Sequence, residues 1–258
     1  MKKILLSALL STILFAATAE QVEQYLTVSN AEEQLIEMES AFSSMQNSFK
    51  RLDANKTENK TYDTQLLSIR FKEYLQKALS EDEMNEILDN YKNMVLLQFV
   101  SATSSQEYDP KAVDGYMKKL EGDPESKNRV ALVDKISNAL YKKETISILF
   151  DDLMKPMMQN GIGGEKVDDS LIKKTRENYI KMIQEESRKV TLYAAKDFTM
   201  QELEELLKIA QSPATDHESK AVFSATAYAL KEFFASLTSR FDVGKHQMHT
   251  PPESNASR

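Results

Sequence analysis

One stretch of the sequence carries a complete set of helix-start signals, Phe198-Thr199-Met200-Gln201-Glu202-Leu203-Glu204-Glu205-Leu206-Leu207. The hydroxyl of Thr199 can accept from the backbone amide three residues on, and Glu202 can reach back to the amide of Thr199. This reciprocal arrangement is a capping box. Phe198 and Leu203 are spaced to pack together as a hydrophobic staple across the cap. The stretch therefore predicts a helix that begins directly after Thr199.

A weaker copy of this start lies earlier in the chain, at Leu79–Leu88. Ser80 takes the place of the cap and Glu83 that of the box partner, 119 residues before their counterparts. A second echo pairs Met45-Gln46-Asn47 with Met158-Gln159-Asn160 at an offset of 113 residues. These repeats predict an all-α multi-helix bundle built from two similar halves in tandem. Chance recurrence of capping boxes in a helical protein is the alternative.

The N-terminus has the three regions of a secretory signal peptide. Lys2 and Lys3 supply the positive charge, Ile4–Phe15 is a short apolar run, and Ala17-Thr18-Ala19 is an A-x-A cleavage site. We predict that residues 1–19 lie outside the fold and that cleavage follows Ala19. The mature chain would then be periplasmic in a Gram-negative cell.

Composition limits the remaining possibilities. Gly and Pro are scarce, at six each in 258 residues, which favours helix over strand. The chain has no Cys, which excludes thiol catalysis, zinc-thiolate sites and disulfides. The 40 acidic residues exceed the 33 basic ones, so nucleic acid and anionic membrane surfaces are poor partners. No long uncharged segment follows the signal peptide, so we expect a mature form that does not span the membrane.

The apolar spacing along the chain predicts helices in each half. The N-terminal half covers residues 20–121, the C-terminal half residues 125–240, and the boundary falls at Gly122-Asp123-Pro124. The predicted helices are Glu20–Lys50, Leu66–Leu79, Ser80 toward Val100, Val113–Leu120, Ser126–Lys142, Glu144–Gln159, Asp168–Lys196 and Thr199 toward Ser212. A kink or an early stop is expected at Pro156.

The last predicted helix differs in kind from the others. Ala221–Leu237 is apolar on most of its faces, which is typical of a helix that lies inside a protein. We expect it to be the central helix of the C-terminal half. The polar residues 241–258 contain Pro251-Pro252 and are predicted to form a disordered tail.

The C-terminal half resembles an exported bacterial family, domain of unknown function 2059. The resemblance rests on Phe198-Thr199, on the acidic helix from Glu202-Leu203 to Leu206-Leu207, and on the Ser212-Pro213 turn into a final apolar helix. It is best over Asp168–Arg240. The chain departs from the family at Ile209-Ala210, where aromatic residues are common. The resemblance implies an exported helical fold with no known activity, and it assigns no catalytic residue.

Residues with catalytic or ligand chemistry have simpler interpretations. His246-Gln247-Met248-His249 could hold a metal but offers no third ligand, and His217 reads as a surface-turn histidine rather than a general base. Gly161–Lys166 lacks the Lys-Ser/Thr of a phosphate-binding loop and reads as a hinge or tight turn. Asp151-Asp152 is a carboxylate pair of a kind that arises readily in an acidic chain. We therefore predict no catalytic, cofactor or metal site.

Two segments match an extended acceptor for bacterial N-glycosylation. Asn55-Lys56-Thr57 and Asn255-Ala256-Ser257 are N-x-S/T sequences, and each has an acid two residues before the Asn, Asp53 and Glu253 respectively. Both lie in predicted flexible segments that a transferase could reach. Asn55 and Asn255 are therefore candidate modification sites.

Three functions are compatible with the sequence. The first is a non-enzymatic periplasmic protein that binds an envelope protein. The second is a carrier of an apolar ligand between its helices, for which Met154, Met157 and Met158 could supply an adaptable surface if they do not simply fill the core. The third, a hydrolase of envelope polymers, would need two facing carboxylates. We expect the first.

Overall fold

The computed structural model describes residues 16–52, 62–103, 109–121, 123, 126–159 and 167–246. Within these ranges the chain is an all-α multi-helix bundle, as predicted, and its only β contact is an isolated bridge between Ala16 and Ser80. The helices are α1 Ala19–Val28, α2 Ala31–Leu52, α3 Gln65–Ala78, α4 Glu81–Asn90, α5 Met94–Ala102, α6 Pro110–Glu121, α7 Lys127–Leu140, α8 Lys143–Leu149, α9 Lys155–Gln159, α10 Asp169–Ala194, α11 Met200–Ala210 and α12 Pro213–His246.

The prediction that residues 1–19 lie outside the fold is wrong for residues 16–19. Ala17 is 1% exposed, and its amide donates to the carbonyl of Leu79 at 2.9 Å. Thr18 is the N-cap of α1 and forms a full capping box with Gln21. The small residues that suit a signal peptidase also fit a close approach between two chain segments. Cleavage after Ala19 would remove both the cap and the buried alanine.

The length of the mature N-terminus should therefore change stability. We expect a chain that begins at Glu20 to have a free energy of unfolding at least about 1 kcal/mol below that of a chain beginning at Ala16, because it loses the Thr18 cap. Urea denaturation followed by circular dichroism measures the difference. Thr18→Ala in the longer chain should give most of the same loss, and two chains of equal stability would contradict the contacts of residues 16–19.

The predicted helix Glu20–Lys50 is interrupted at Asn30. This residue has a φ of 59°, a left-handed conformation in which Asn is better tolerated than most residues. It closes the C-terminal end of α1, and its side chain donates to Glu33 at 3.0 Å in the first turn of α2. The spacing of Asn30 and Glu33 was a local capping signal at this point, but the apolar spacing continued across it and favoured one helix.

The predicted helix from Ser80 toward Val100 is also two helices, α4 and α5. The side chain of Asn93 accepts from the amides of Val95 and Leu96 at 2.8 and 3.4 Å, so it caps a new helix. α5 is less buried than its composition predicts, since Met94 is 75% exposed. Asn93 was an available N-cap signal that the apolar run concealed.

The helix does not stop at Pro156, because α9 continues to Gln159, but the turn before the proline is irregular. α8 continues into one π-helical turn, Phe150–Met154, in which the amide of Lys155 donates to the carbonyl of Phe150. Pro156 has no amide hydrogen, so the carbonyl four residues before it loses its usual donor and the turn widens. On the outside of this turn, Asp151 accepts two bonds from Arg176 at 2.9 and 2.8 Å.

The last helix is central to both predicted halves rather than to the second alone. α12 begins at Pro213, since proline is well suited to a first helical position, and the hydroxyl of Ser212 accepts from the amide of Thr215 at 3.2 Å. The helix packs against α3 and α4 as well as α7, α8 and α11, and one apolar core joins residues of both ranges. Its end at His246 lies within the predicted disordered tail.

Candidate functional site

A pocket of about 200 Å³ lies where α1, α5, α7, α11 and α12 meet. Its aliphatic wall is contributed by α5, α7, α11 and α12 through Leu96, Val100, Leu140, Leu206, Ile209 and Val222. Its aromatic wall consists of Tyr25, Tyr91, Phe99, Tyr141 and Phe223. Apart from the tyrosine hydroxyls, the polar groups of the described lining are the hydroxyls of Thr103, Thr215 and Ser219 and one carboxyl group, that of Glu218.

Glu218 is held by two tyrosines from distant parts of the chain. The hydroxyls of Tyr25 and Tyr91 both donate to Oε1 of Glu218, at 2.9 and 2.5 Å. The two rings meet edge to face with centroids 5.9 Å apart, and the tyrosines are only 4% and 8% exposed. The other oxygen, Oε2, takes no hydrogen bond from the residues that the structure describes. The carboxyl is thus fixed in place with one oxygen uncommitted.

The local sequence explains how these groups converge. Glu218 falls in the second turn of α12, in register with the buried Ala214, Ala221 and Ala225. Tyr91 is the C-cap residue of α4, so the end of that helix directs its ring inward.

Burial changes the acid strength of all three groups. It raises the pKa of the Glu218 carboxyl, and the hydrogen bonds from Tyr91 and Tyr25 offset part of that rise. Burial and the adjacent Glu218 carboxyl raise the pKa of Tyr25 and of Tyr91 well above the ordinary phenol value. Both phenols therefore stay protonated at neutral pH and act as donors.

Beside the pocket, a second acid has the opposite behaviour. Asp216 binds Lys142 at 2.6 Å and Lys220 at 2.7 Å. Hydrogen bonds from Lys142 and then Lys220 lower the pKa of Asp216 to about 2. These two lysines are therefore engaged outside the pocket, and no Lys, Arg or His is among the described residues that line it.

Asp216→Asn should lower the free energy of unfolding at pH 7 by about 1 kcal/mol, a value reduced for the solvent exposure of both lysines. A depressed folded-state pKa stabilises the fold above the unfolded-state pKa, and this stabilisation is lost as pH falls through about 4 toward 2. Urea denaturation of the unchanged protein and of the variant, at pH 7 and at pH 2, measures the difference in unfolding free energy at each pH. A difference that stays the same at the two pH values would contradict the ion pairs.

The arrangement at the pocket supports binding better than hydrolysis. Glycoside hydrolysis needs two carboxyl groups across a cleft, whereas Glu218 is the one carboxyl among the described residues of this lining. Of the adjacent acids Asp151 and Asp152, Asp151 is already bound by Arg176, which lowers the pKa of its carboxyl. Within the described ranges, no three His, Cys, Asp or Glu side chains are grouped closely enough to hold a metal ion.

The sequence-predicted residues lie away from this pocket. Both capping boxes form, Ser80 with Glu83 and Thr199 with Glu202, and they fix helix ends. The candidate acceptors Asn55 and Asn255, the segment Gly161–Lys166 and His249 lie outside the described residues, and His246 is the last residue of α12.

His217 lies in α12 rather than in a surface turn. Its Nδ1 is 3.2 Å from Oε1 of Glu83, within ion-pair distance but without hydrogen-bond geometry. The pair borders a second concavity of about 250 Å³ with a mixed polar lining. The side chains of His217 and Glu83 are 41% and 35% exposed, so solvent screens their interaction, and we infer no catalytic role for the pair.

A third concavity, of about 270 Å³, lies between α5 and the segment that connects α10 to α11. Its lining includes Gln98, Lys196 and Asp197, so water competes for most of its contacts. Although it is larger than the pocket at Glu218, it lacks the apolar walls and fixed polar group that favour a small-molecule site.

Comparison of the chain with protein-family models, with curated proteins and with solved structures gave no match. Across the described residues, no helix combines the length and the apolar character needed to cross a bilayer.

Proposed function

We propose that this chain is an exported, non-enzymatic helical binding protein that carries a small, largely apolar ligand between its helices. The observation that carries the proposal is the pocket at Glu218. The carrier function, second among the sequence-based possibilities, thereby moves ahead of binding to an envelope protein. Export and membership of domain of unknown function 2059 are part of the same proposal and rest on the sequence features.

The form of the pocket supports a ligand rather than simple imperfect packing. Apolar walls with a single fixed polar group are typical of small-molecule sites, although such pockets are usually larger. A cavity of about 150 Å³ is sufficient for benzene. The space of about 200 Å³ at Glu218 therefore suits one ring with a short substituent, or a chain of similar size.

Methyl NMR with benzene as the probe tests whether the pocket binds. We expect saturable shifts of the methyl groups of Leu96, Leu206 and Val222, with little change at Ile180, which is buried in α10 away from the pocket. Equal shifts throughout the core, or no shift at any pocket methyl, would overturn the proposed binding function and leave interaction with an envelope protein as the better account.

Two variants on α12 provide the matched control. Ser219→Leu places a larger side chain in the pocket lining and should abolish the benzene shifts. Lys231→Leu makes the same product residue at an exposed position of the same helix and should leave them unchanged. Loss in both variants would indicate a general effect on the fold.

The mass of the protein purified from its own host tests export. Removal of the N-terminal segment is expected, with the mature chain beginning at Glu20, and retention of Met1 would contradict export. Glycan-sized additions at Asn55 or Asn255 would establish the acceptor sites, whereas the unmodified peptide mass at both would exclude them under that growth condition.

We further propose that the two capped segments arose by duplication. α4 and α11 both begin with a capping box, and the helices that follow them, α5 and α12, begin at Met94 and Pro213, again 119 residues apart. Superposition of residues 80–102 on 199–221 should align both helices and the turn. Unrelated helix crossing angles would contradict a common origin.

A further inference from the structure

Oε2 of Glu218 receives no hydrogen bond from the described residues of the pocket. Tyr25 and Tyr91 both donate to Oε1, and neither donates to Oε2. An ionised carboxylate oxygen in apolar surroundings is costly unless a donor or a cation meets it. The described lining contains no cationic side chain, and Lys142 and Lys220 bind Asp216 instead. Because Glu218 is only partly buried, water can solvate Oε2 in the unliganded protein, and a cation that replaces this water in the pocket has to come from outside the described lining.

The aromatic wall is also suited to a cation. Five of the described residues that line the pocket are aromatic, and three of these, Tyr25, Tyr91 and Tyr141, are phenols. The faces of such rings attract ammonium groups, most strongly when water is excluded. The remaining lining is aliphatic apart from the hydroxyls of Thr103, Thr215 and Ser219, and it would receive an apolar body. Together the lining presents a negative end and an apolar end within about 200 Å³.

We infer that the pocket binds a small organic amine, an ammonium group attached to one ring or to an alkyl chain of similar size, with the ammonium at Oε2 of Glu218. This inference rests on the proposed binding function and specifies its ligand class. The amine donates a hydrogen bond to the carboxylate, and its apolar part fills the space between Leu96, Leu206 and Val222.

The acid–base behaviour of Glu218 gives this inference a pH signature. Because burial raises the pKa of this carboxyl, the unliganded protein takes up a proton there at a higher pH than an exposed glutamate does. An ammonium ligand needs the ionised form, so its affinity should increase as pH rises through that pKa. Tyr25, Tyr91 and Tyr141 face the carboxyl or the pocket, and their raised pKa values keep them neutral over this range.

Isothermal titration with 2-phenylethylamine and its neutral isostere 2-phenylethanol tests the inference. At pH 8 we expect the amine to bind the full-length protein about tenfold more tightly or better, the increment of one charge-assisted hydrogen bond in partly buried surroundings. The preference should decline as pH is lowered through the pKa of Glu218. The affinity of the alcohol should vary little with pH.

Glu218→Gln keeps the shape of the side chain and one acceptor for the tyrosines but removes the charge. We expect it to bind the alcohol normally and to lose the preference for the amine. An amine preference that survives in this variant, or equal binding of both probes by the unchanged protein, would overturn the amine assignment while leaving the pocket as a binding site. If Glu218→Gln does not fold, the pH series on the unchanged protein decides.

Failure of the broader proposal has a different result. If neither probe binds and benzene gives no shift at the pocket methyl groups, the pocket is closed to ligands and both proposals fall. If benzene binds and the amine does not, only the amine assignment falls.

Discussion

Phe233→Ala should lower the free energy of unfolding by about 3–5 kcal/mol, the usual cost of removing a fully buried aromatic side chain. Phe233 is 0% exposed in the middle of α12. Its ring meets those of Phe42, Tyr62 and Phe234 at centroid distances of 4.4, 5.4 and 5.4 Å. These partners come from α2, from the segment before α3 and from α12. Removal of the Phe233 ring therefore leaves a cavity that is lined by several elements.

Urea denaturation followed by circular dichroism measures this loss. Tyr228→Ala on the same helix is the control, because Tyr228 is 45% exposed and its removal should cost much less. Both variants should unfold in a single transition, since α12 contributes to the core on both sides of the predicted boundary. Two separate transitions, of which Phe233→Ala shifts only that of the C-terminal range, would show that α12 belongs to this range alone.

Arg129→Ala should lower the free energy of unfolding by about 2–3 kcal/mol, because a charged donor that holds buried carbonyl groups is worth more than a surface ion pair. The guanidinium of Arg129 donates to the carbonyls of Ala195 and Phe198 at 3.1 and 2.7 Å. These carbonyls belong to the turn between α10 and α11. Ala195 and Phe198 are both buried, at 0% and 2% exposed, so water cannot easily replace the arginine.

The matched control is Arg176→Ala, which removes another arginine that donates two bonds. Arg176 binds the carboxylate of Asp151 at the surface, so its loss should cost less than about 1 kcal/mol. Arg129→Lys should be intermediate, since one ammonium group cannot reproduce the planar pair of donors. Equal losses for Arg129→Ala and Arg176→Ala would show that the turn does not depend on the guanidinium.

Helix starts were the most predictable part of this fold because their signals are local. Thr199 with Glu202 and Ser80 with Glu83 act over three residues, and each forms the expected box. The breaks at Asn30 and Asn93 are equally local, but an apolar spacing that continued through them favoured long helices. One long helix and two successive helices can have the same apolar periodicity, so only a capping residue distinguishes the two.

Burial was less predictable than helix position. Ile69 is a large apolar residue but is 49% exposed, while Leu67, Phe71 and Leu75 of the same helix are buried. Spacings of four residues place Leu67, Phe71 and Leu75 on one face of α3, and Ile69 falls on the other. Composition alone does not show which apolar face has a neighbour.

The pocket could not have been identified from sequence spacing. Tyr25 and Glu218 are 193 residues apart, and Tyr91 and Glu218 are 127 apart, so only the folded topology brings them together. One local sign was present: Glu218 is a charged residue in register with small apolar residues of α12. A carboxyl at such a position needs hydrogen-bond donors from neighbouring elements, and here Tyr25 and Tyr91 are those donors.

A crystal structure of the protein soaked with 2-phenylethylamine at pH 8 tests the central claim most directly. The account predicts one amine in the pocket, its nitrogen about 3 Å from Oε2 of Glu218 and its ring against Leu96, Leu206 and Val222. An empty pocket in crystals that hold the amine elsewhere, or a ring in the pocket with its nitrogen directed away from Glu218, would contradict it.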